Sequence, residues 1–232
     1  MSARVAVLTF PGTNCDDDCA HVLGSVLNHD VLRVWHKETT LPEGLDGIVI
    51  PGGFSYGDYL RAGAIARFSP VMPAVKQFAE RGGPVMGICN GFQVLLELGL
   101  LPGAMQKNES GRFVCKPVHL KVTRHDTRFT RGISAGHLLQ VPVAHAEGNW
   151  TCDEATWSRV QGEGMDLLRY CQPDGTVDRA ANPNGARDNI AGLINAEGNV
   201  LGLMPHPERS SEALLGGTDG RLLFSGLLSG RA

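Results

Sequence analysis

The sequence predicts an α/β fold: a central, mostly parallel sheet covered by helices on both faces, with an antiparallel extension. Two observations predict it. In the first half, short apolar runs alternate with stretches of helical pattern, the signature of strands joined by crossover helices. In the second half, "VCKPVHLKVT", "HLLQVPVAHA", "MDLLRYC", "IAGLINAEG" and "VLGLMPH" follow one another as strands separated by turn-rich loops such as "QPDGT" and "NPNGARDN". No linker-like segment divides the halves, so residues 1–232 are read as one domain in which the later strands extend the same sheet.

Taken in order, "RVAVLTF" reads as a buried strand and Cys15 to Leu27 as a helix. Asp16, Asp17 and Asp18 suit the positive end of that helix, and Cys19 is expected to face the core. "VLRVW" and "GIVIPGG" are the next strands. Ala62 to Arg81 is helical in character, with Pro70 and Pro73 marking a break or a restart. "PVMGIC" is a strand and Gly91 to Leu98 a helix, closed by Gly99 and Pro102. Internal repeats and low-complexity tracts are lacking.

Composition narrows the function classes. With 42% hydrophobic and 19% charged residues, a chain of 232 residues can bury one sizeable core and does not resemble a disordered segment. A net charge of −3 without a Lys/Arg cluster argues against a nucleic-acid partner. "MSARVAVLTF" carries too short an apolar run for a signal peptide or a membrane span, and a cytoplasmic protein is expected. The six cysteines (15, 19, 89, 115, 152 and 171) are therefore expected to be thiols. Cys15 and Cys19 have no second Cys/His pair at finger-like spacing, so no metal is expected on them.

Chemistry concentrates at Cys89. A strand, then Gly87-Ile88-Cys89-Asn90-Gly91, then a helix is the sulfur form of the G-x-S-x-G nucleophile elbow, whose tight turn lifts the nucleophile above the sheet. The helix start beneath it favours a thiolate. A buried core cysteine flanked by structural glycines would give the same isolated motif, so the rest of the chain has to decide. A thiol nucleophile needs a base oriented by a third group, and two His-x-Glu dyads are available: His145-Ala146-Glu147 and His206-Pro207-Glu208. His206 lies between Pro205 and Pro207, which favours an extended segment in which Glu208 returns to the same side as His206. His145, before Gly148 in a less constrained stretch, stays as the alternative base, with a structural or interface role the preferred reading. For the oxyanion, Gly52 and Gly53 at the end of "IVIPGG" and the N–H of Asn90 are the candidate donors.

"PGGFSYGDYLRAGAIA", "GICNGFQVL", "PVAHAEG", "NPNG" and "GLMPHPER" closely resemble the glutaminase subunits of phosphoribosylformylglycinamidine synthase, a family of class I, triad-type glutamine amidotransferases. The likeness runs from "VLTFPGTNCDDD" to "MPHPER"; "GGFSYGDYLRAGA" is its most specific part, and Ala146 stands where the family usually has glycine. The resemblance implies a flavodoxin-like three-layer sandwich, Cys89 as nucleophile, and His206 with Glu208 as its partners. It also implies glutamine as substrate, a separate ATP-dependent synthetase subunit, a small accessory subunit, and conversion of formylglycinamide ribonucleotide to formylglycinamidine ribonucleotide.

The chain itself has no G-x-x-x-x-G-K-[ST] loop and is expected to carry no cofactor, with ATP and magnesium on the synthetase. A peptidase-like cysteine protein would share the elbow but would not require "MPHPE". A flavodoxin-like binding module would need a phosphate-friendly first loop, whereas "PGTNCDDD" puts three carboxylates there. The stretch Phe54 to Ala64, rich in glycine, aromatic residues and arginine beside the proposed oxyanion turn, is read either as a rigid cover or as a segment that partner docking aligns.

Overall fold

The computed structural model describes residues 2–229. Its core is a sheet in the order β2-β1-β3-β4-β11-β10-β9-β6-β7. The parallel part comprises β1 (Arg4–Thr9), β2 (Asp30–Trp35), β3 (Gly47–Ile50), β4 (Val85–Ile88) and β11 (Val200–Leu203). Every residue of β3, β4 and β11 is buried, which is why these strands read as continuous apolar runs and not as alternating ones. Antiparallel strands continue the sheet: β10 (Ile190–Ile194), β9 (Asp166–Cys171), β6 (Val114–Val122) and β7 (Leu138–His145). The antiparallel extension expected from the second half is therefore present, in the same sheet.

Helices cover the faces as the crossovers demand. α3 (Asn90–Glu97) packs unusually close to the sheet, because the strands beneath it carry glycine where its side chains land. A Cβ on Gly202 of β11 would lie 2.1 Å from the Phe92 ring, and one on Gly87 of β4 would lie 2.5 Å from Leu95 Cδ1. Gly91 brings the helix backbone equally near, since a Cβ there would stand 1.9 Å from the carbonyl oxygen of Ile50.

Several elements differ from the sequence reading. The first helix is α1 (Asp16–His21) and passes at Val22–Val26 into a wider π-helical turn, in which Leu27 N–H donates to Val22 O at 2.9 Å. The 62–81 stretch breaks where Pro70 and Pro73 were expected to interrupt it, though its first part is no full helix: a 3₁₀ turn at Ala66–Phe68 ends in extended Ser69, and the chain restarts as α2 (Met72–Glu80), with Pro73 in its first turn. The short antiparallel pair β5 (Ala104–Gln106) and β8 (Asn149–Thr151), α4 (Glu154–Gly162) and α5 (Gly220–Leu228) were not anticipated. α4 is mostly polar and buries only Trp157 and Val160, so its clearest local mark is the cap, where Asp153 accepts from Thr156 N–H at 2.8 Å. Among the described residues no helix is long and apolar enough to cross a membrane.

Candidate active site

Three neighbouring parallel strands, β3, β4 and β11, release their carboxyl ends at one edge, and the residues that follow them meet there. Ile88 pairs with Leu203, so Cys89 leaves β4 beside the segment that carries His206 out of β11. Cys89 sits at φ +50°, ψ −104°, in the left-handed half of backbone space, where a non-glycine residue persists only if its surroundings impose it. They do: its N–H donates to Leu203 O at 2.7 Å, its carbonyl accepts from Gln93 N–H at 3.2 Å, and the glycines at 87 and 91 let Leu95 and the Ile50 backbone close in on either side of it. This is the elbow anticipated from the sequence. The side chain lines a cavity of about 260 Å³ shared by Gly53, His206, Asn14, Asp58, Glu147 and Arg209, among others.

His206 is buried, and its Nδ1 is 2.5 Å from Glu208 Oε1, also buried. The approach is not the two-residue alternation of an extended chain. His206 itself is extended (φ −104°, ψ 87°), but Pro207–Ser210 forms a 3₁₀ turn that swings Glu208 back onto the ring. His206 N–H donates to Pro142 O at 2.8 Å, fixing the turn to β7. The ring also explains Gly52: a Cβ there would be 2.8 Å from His206 Cε1 and 3.2 Å from Cys15 Sγ. Burial opposes a charge on the imidazole, yet the Glu208 carboxylate and Cys89 outweigh it and hold the His206 pKa well above the ordinary histidine value. Its Nε2 is buried without a protein hydrogen-bond partner.

Of the proposed oxyanion donors, Gly53 lines the cavity, at φ +150°, with the first loop so close that a Cβ would lie 2.7 Å from Thr13 Cα. Asn90 opens α3, where the first amides of a helix have no partner four residues back. Gly52 lies instead against His206, and its carbonyl accepts from Cys15 N–H at 3.2 Å.

Cys15 is buried beside His206, its Sγ 3.9 Å from Nδ1. The ligand atoms of Cys15, His206 and Glu208 lie within 4.8 Å of one another, but the Arg209 guanidinium already donates to Cys15 Sγ at 3.2 Å, supplying the positive charge of the cluster.

The second dyad is fixed more firmly than its sequence suggested. His145 ends β7, buried, with Nδ1 donating to Asn108 Oδ1 at 3.1 Å and Nε2 accepting from Asn184 Nδ2 at 3.4 Å. Burial, then the charge of His206, lowers its pKa to about 4, so it is neutral. Gly148 packs under the ring, where a Cβ would be 2.2 Å from Cε1. Ala146 is exposed, and its carbonyl accepts from Asn108 N–H at 2.8 Å.

Asn14, Asp58, Phe113, Cys115, Glu147 and Arg209 also line the cavity and were not singled out for it. They come from separate loops and strands, so no spacing along the chain marks them.

A doubly covered α/β sheet with a cysteine elbow beside a buried His–Glu pair matches the class I glutamine amidotransferase fold. The family model described as a CobB/CobQ-like glutamine amidotransferase domain matches residues 2–216. Phosphoribosylformylglycinamidine synthase subunit PurQ of Bradyrhizobium diazoefficiens is 56% identical over 224 residues, covering 97% of this chain and 96% of its own. The subunit of the same name from Koribacter versatilis is 53% identical, with 99% of each chain covered. A chain in the structure of PurLQS from Thermotoga maritima superposes with a TM-score of 0.85 at 40% identity, covering 98% of both chains. The glutaminase domain of Trypanosoma brucei CTPS with bound acivicin shares the fold, with a TM-score of 0.60 at 14% identity over 100% of this chain and 96% of that one. The chain belongs to the PurQ family of phosphoribosylformylglycinamidine synthase subunits.

Proposed function

We propose that this chain is the glutaminase component of a phosphoribosylformylglycinamidine synthase, with Cys89, His206 and Glu208 as its catalytic triad. The observation that carries the residue assignment is the common cavity of Cys89 and His206, with Glu208 holding the far nitrogen of the imidazole. The raised His206 pKa favours an imidazolium beside Cys89, ready to give its proton to the leaving group.

The thiolate attacks the side-chain amide carbon of glutamine, forming the C–S bond, while the developing oxyanion is received by the Gly53 and Asn90 amides. His206 gives its proton to the departing nitrogen, the C–N bond breaks, and ammonia leaves. Water then attacks the thioester, His206 takes its proton, the C–S bond breaks, and glutamate is released with the thiolate restored.

Ammonia made this way serves a separate ATP-dependent synthetase subunit, which binds the ATP and magnesium and converts formylglycinamide ribonucleotide to formylglycinamidine ribonucleotide in purine biosynthesis. A small accessory subunit completes the assembly, a reading supported by the PurLQS likeness. Such a complex works in the cytoplasm. The test is treatment with a glutamine-mimicking electrophile followed by peptide mapping. An adduct on Cys89 that excess glutamine prevents supports the assignment; labelling of Cys115, the other cysteine lining the cavity, in its place overturns it.

A further inference from the structure

Two acidic residues line the cavity that neither the triad nor the oxyanion donors use, Asp58 and Glu147. Asp58 arrives on the turn after β3 and Glu147 on the turn after β7, yet α3 holds both loops. Asn90 accepts from Ser55 N–H at 3.1 Å and donates from Nδ2 to Asp58 Oδ1 at 3.1 Å. The same Nδ2 donates to Gln93 Oε1 at 2.9 Å, and Gln93 Nε2 donates to the Glu147 carbonyl at 2.6 Å. The helix that begins beside Cys89 therefore sets the position of the Asp58 carboxylate and of the Glu147 main chain relative to the thiol.

Holding Asp58 there strains the backbone. Tyr56, Asp58 and Leu60 all have positive φ, at +55°, +53° and +71°. Non-glycine residues gather in that region mainly at functional sites, where surrounding contacts over-determine them.

The electrostatics are also incomplete. Burial and then the Glu147 charge push the Asp58 pKa up to about 6, against the smaller opposing effect of the Asn90 hydrogen bond. Among the described residues neither carboxylate has an ion-pair partner. The guanidinium in the cavity, Arg209, is engaged with Cys15 and lies near Glu208. The cavity thus has a thiol, a buried imidazole nitrogen with no protein partner, and a pair of mutually repelling carboxylates that a cationic group would relieve.

We propose that Asp58, with Glu147 beside it, binds the α-ammonium group of glutamine and so selects an α-amino acid amide over other primary amides. This rests on the glutaminase reading above and assigns a specificity role within the same site. The bond is charge-assisted, and its loss weakens binding without touching the groups that break the amide.

The test compares glutamine with glutaramate, the same amide without the α-amino group, as substrates of the full chain assembled with its synthetase. The wild type is expected to prefer glutamine. In Asp58→Asn the KM for glutamine rises about tenfold to a hundredfold with kcat nearly held, and the preference over glutaramate falls by the same factor. Glu147→Gln moves the same way by less, and because its carboxylate takes no part in the Asn90–Gln93 network it carries the test if Asp58→Asn misfolds. Equal losses on both amides, or an unchanged glutamine KM, overturn this proposal and leave the glutaminase reading standing. A wild type that hydrolyses no glutamine overturns both.

Discussion

Glu208 Oε1 stands 2.5 Å from Nδ1 of His206, with both side chains buried and the second ring nitrogen lacking a protein partner. Because Nδ1 is committed to the carboxylate, Nε2 is the nitrogen that the proposed mechanism uses to exchange a proton with thiol, leaving group and water. The Glu208 charge also offsets the cost of an imidazolium in a site from which water is largely excluded.

Replacing His206 with alanine is expected to lower glutamine turnover by about a hundredfold to ten-thousandfold, the usual worth of general acid–base help. His145→Ala acts elsewhere. It removes two buried hydrogen bonds, costing about 0.5–1.5 kcal/mol of stability each, while Asn108 Oδ1 keeps the Gly148 N–H and Asn184 Nδ2 keeps the Tyr170 hydroxyl, and the loss of turnover per folded molecule is smaller. Thermal unfolding and turnover measured together separate the two, and reversed effects would reassign the base.

Glycine substitutions probe the packing around the triad. Gly52→Ala places a methyl 2.8 Å from His206 Cε1, so it is expected to reduce turnover by displacing the ring while the chain still folds. Gly91→Ala meets the backbone of Ile50 at 1.9 Å and is expected to destabilise the whole protein by about 1–3 kcal/mol. Gly162→Ala, in open space at the end of α4, should be neutral or stabilising by up to about 1 kcal/mol. Circular-dichroism melts of the three variants check the order.

His145 gives stability a defined pH dependence. Its folded pKa of about 4 lies below the unfolded histidine value of 6.5, so between these values the unfolded chain binds more protons than the folded one. Stability therefore carries no penalty from this residue above the unfolded value and falls as pH drops through that window, by up to about 3 kcal/mol at 1.36 kcal/mol per unit. Denaturant titrations from pH 7 to pH 4 should show that slope reduced in His145→Gln; an identical slope would show that the imidazole charges without cost.

The loop after β3 presents Tyr59 at 74% and Leu60 at 92% exposure, next to Asp58 in the cavity. It is not loose, since Arg61 is bound to Glu97 at 2.5 and 2.7 Å and Gly63 lies against the backbone of Gln93, so Arg61 is not a free anchor. Glutamine hydrolysis is expected to be slower for the chain alone than in the complex. Replacing Tyr59 and Leu60 with serine should diminish the stimulation and leave hydrolysis by the isolated chain similar; equal rates alone and in complex would remove the case for activation through assembly.

Much of this was legible in the sequence, for physical reasons. β3, β4 and β11 are buried on both faces and so appear as unbroken apolar runs, and Cys89 is marked by glycines its elbow cannot do without. His206 and Glu208 were found as a dyad although the geometry that joins them is a turn. β5 and β8 are too short to show a period, and α4 is too polar to show a stripe. Asp58 and Glu147 stood inside conspicuous motifs, but their common cavity is made by hydrogen bonds from Asn90 and Gln93, which no spacing along the chain reveals.

The central claim, that Cys89 makes ammonia from glutamine for a synthetase on another subunit, is tested most directly by Cys89→Ala in the assembled complex. Synthesis of formylglycinamidine ribonucleotide is measured with glutamine and, separately, with ammonium salt as nitrogen source. The account predicts that the variant loses glutamine-dependent synthesis and keeps ammonia-dependent synthesis at the wild-type rate. Retention of glutamine-dependent synthesis by Cys89→Ala would contradict it.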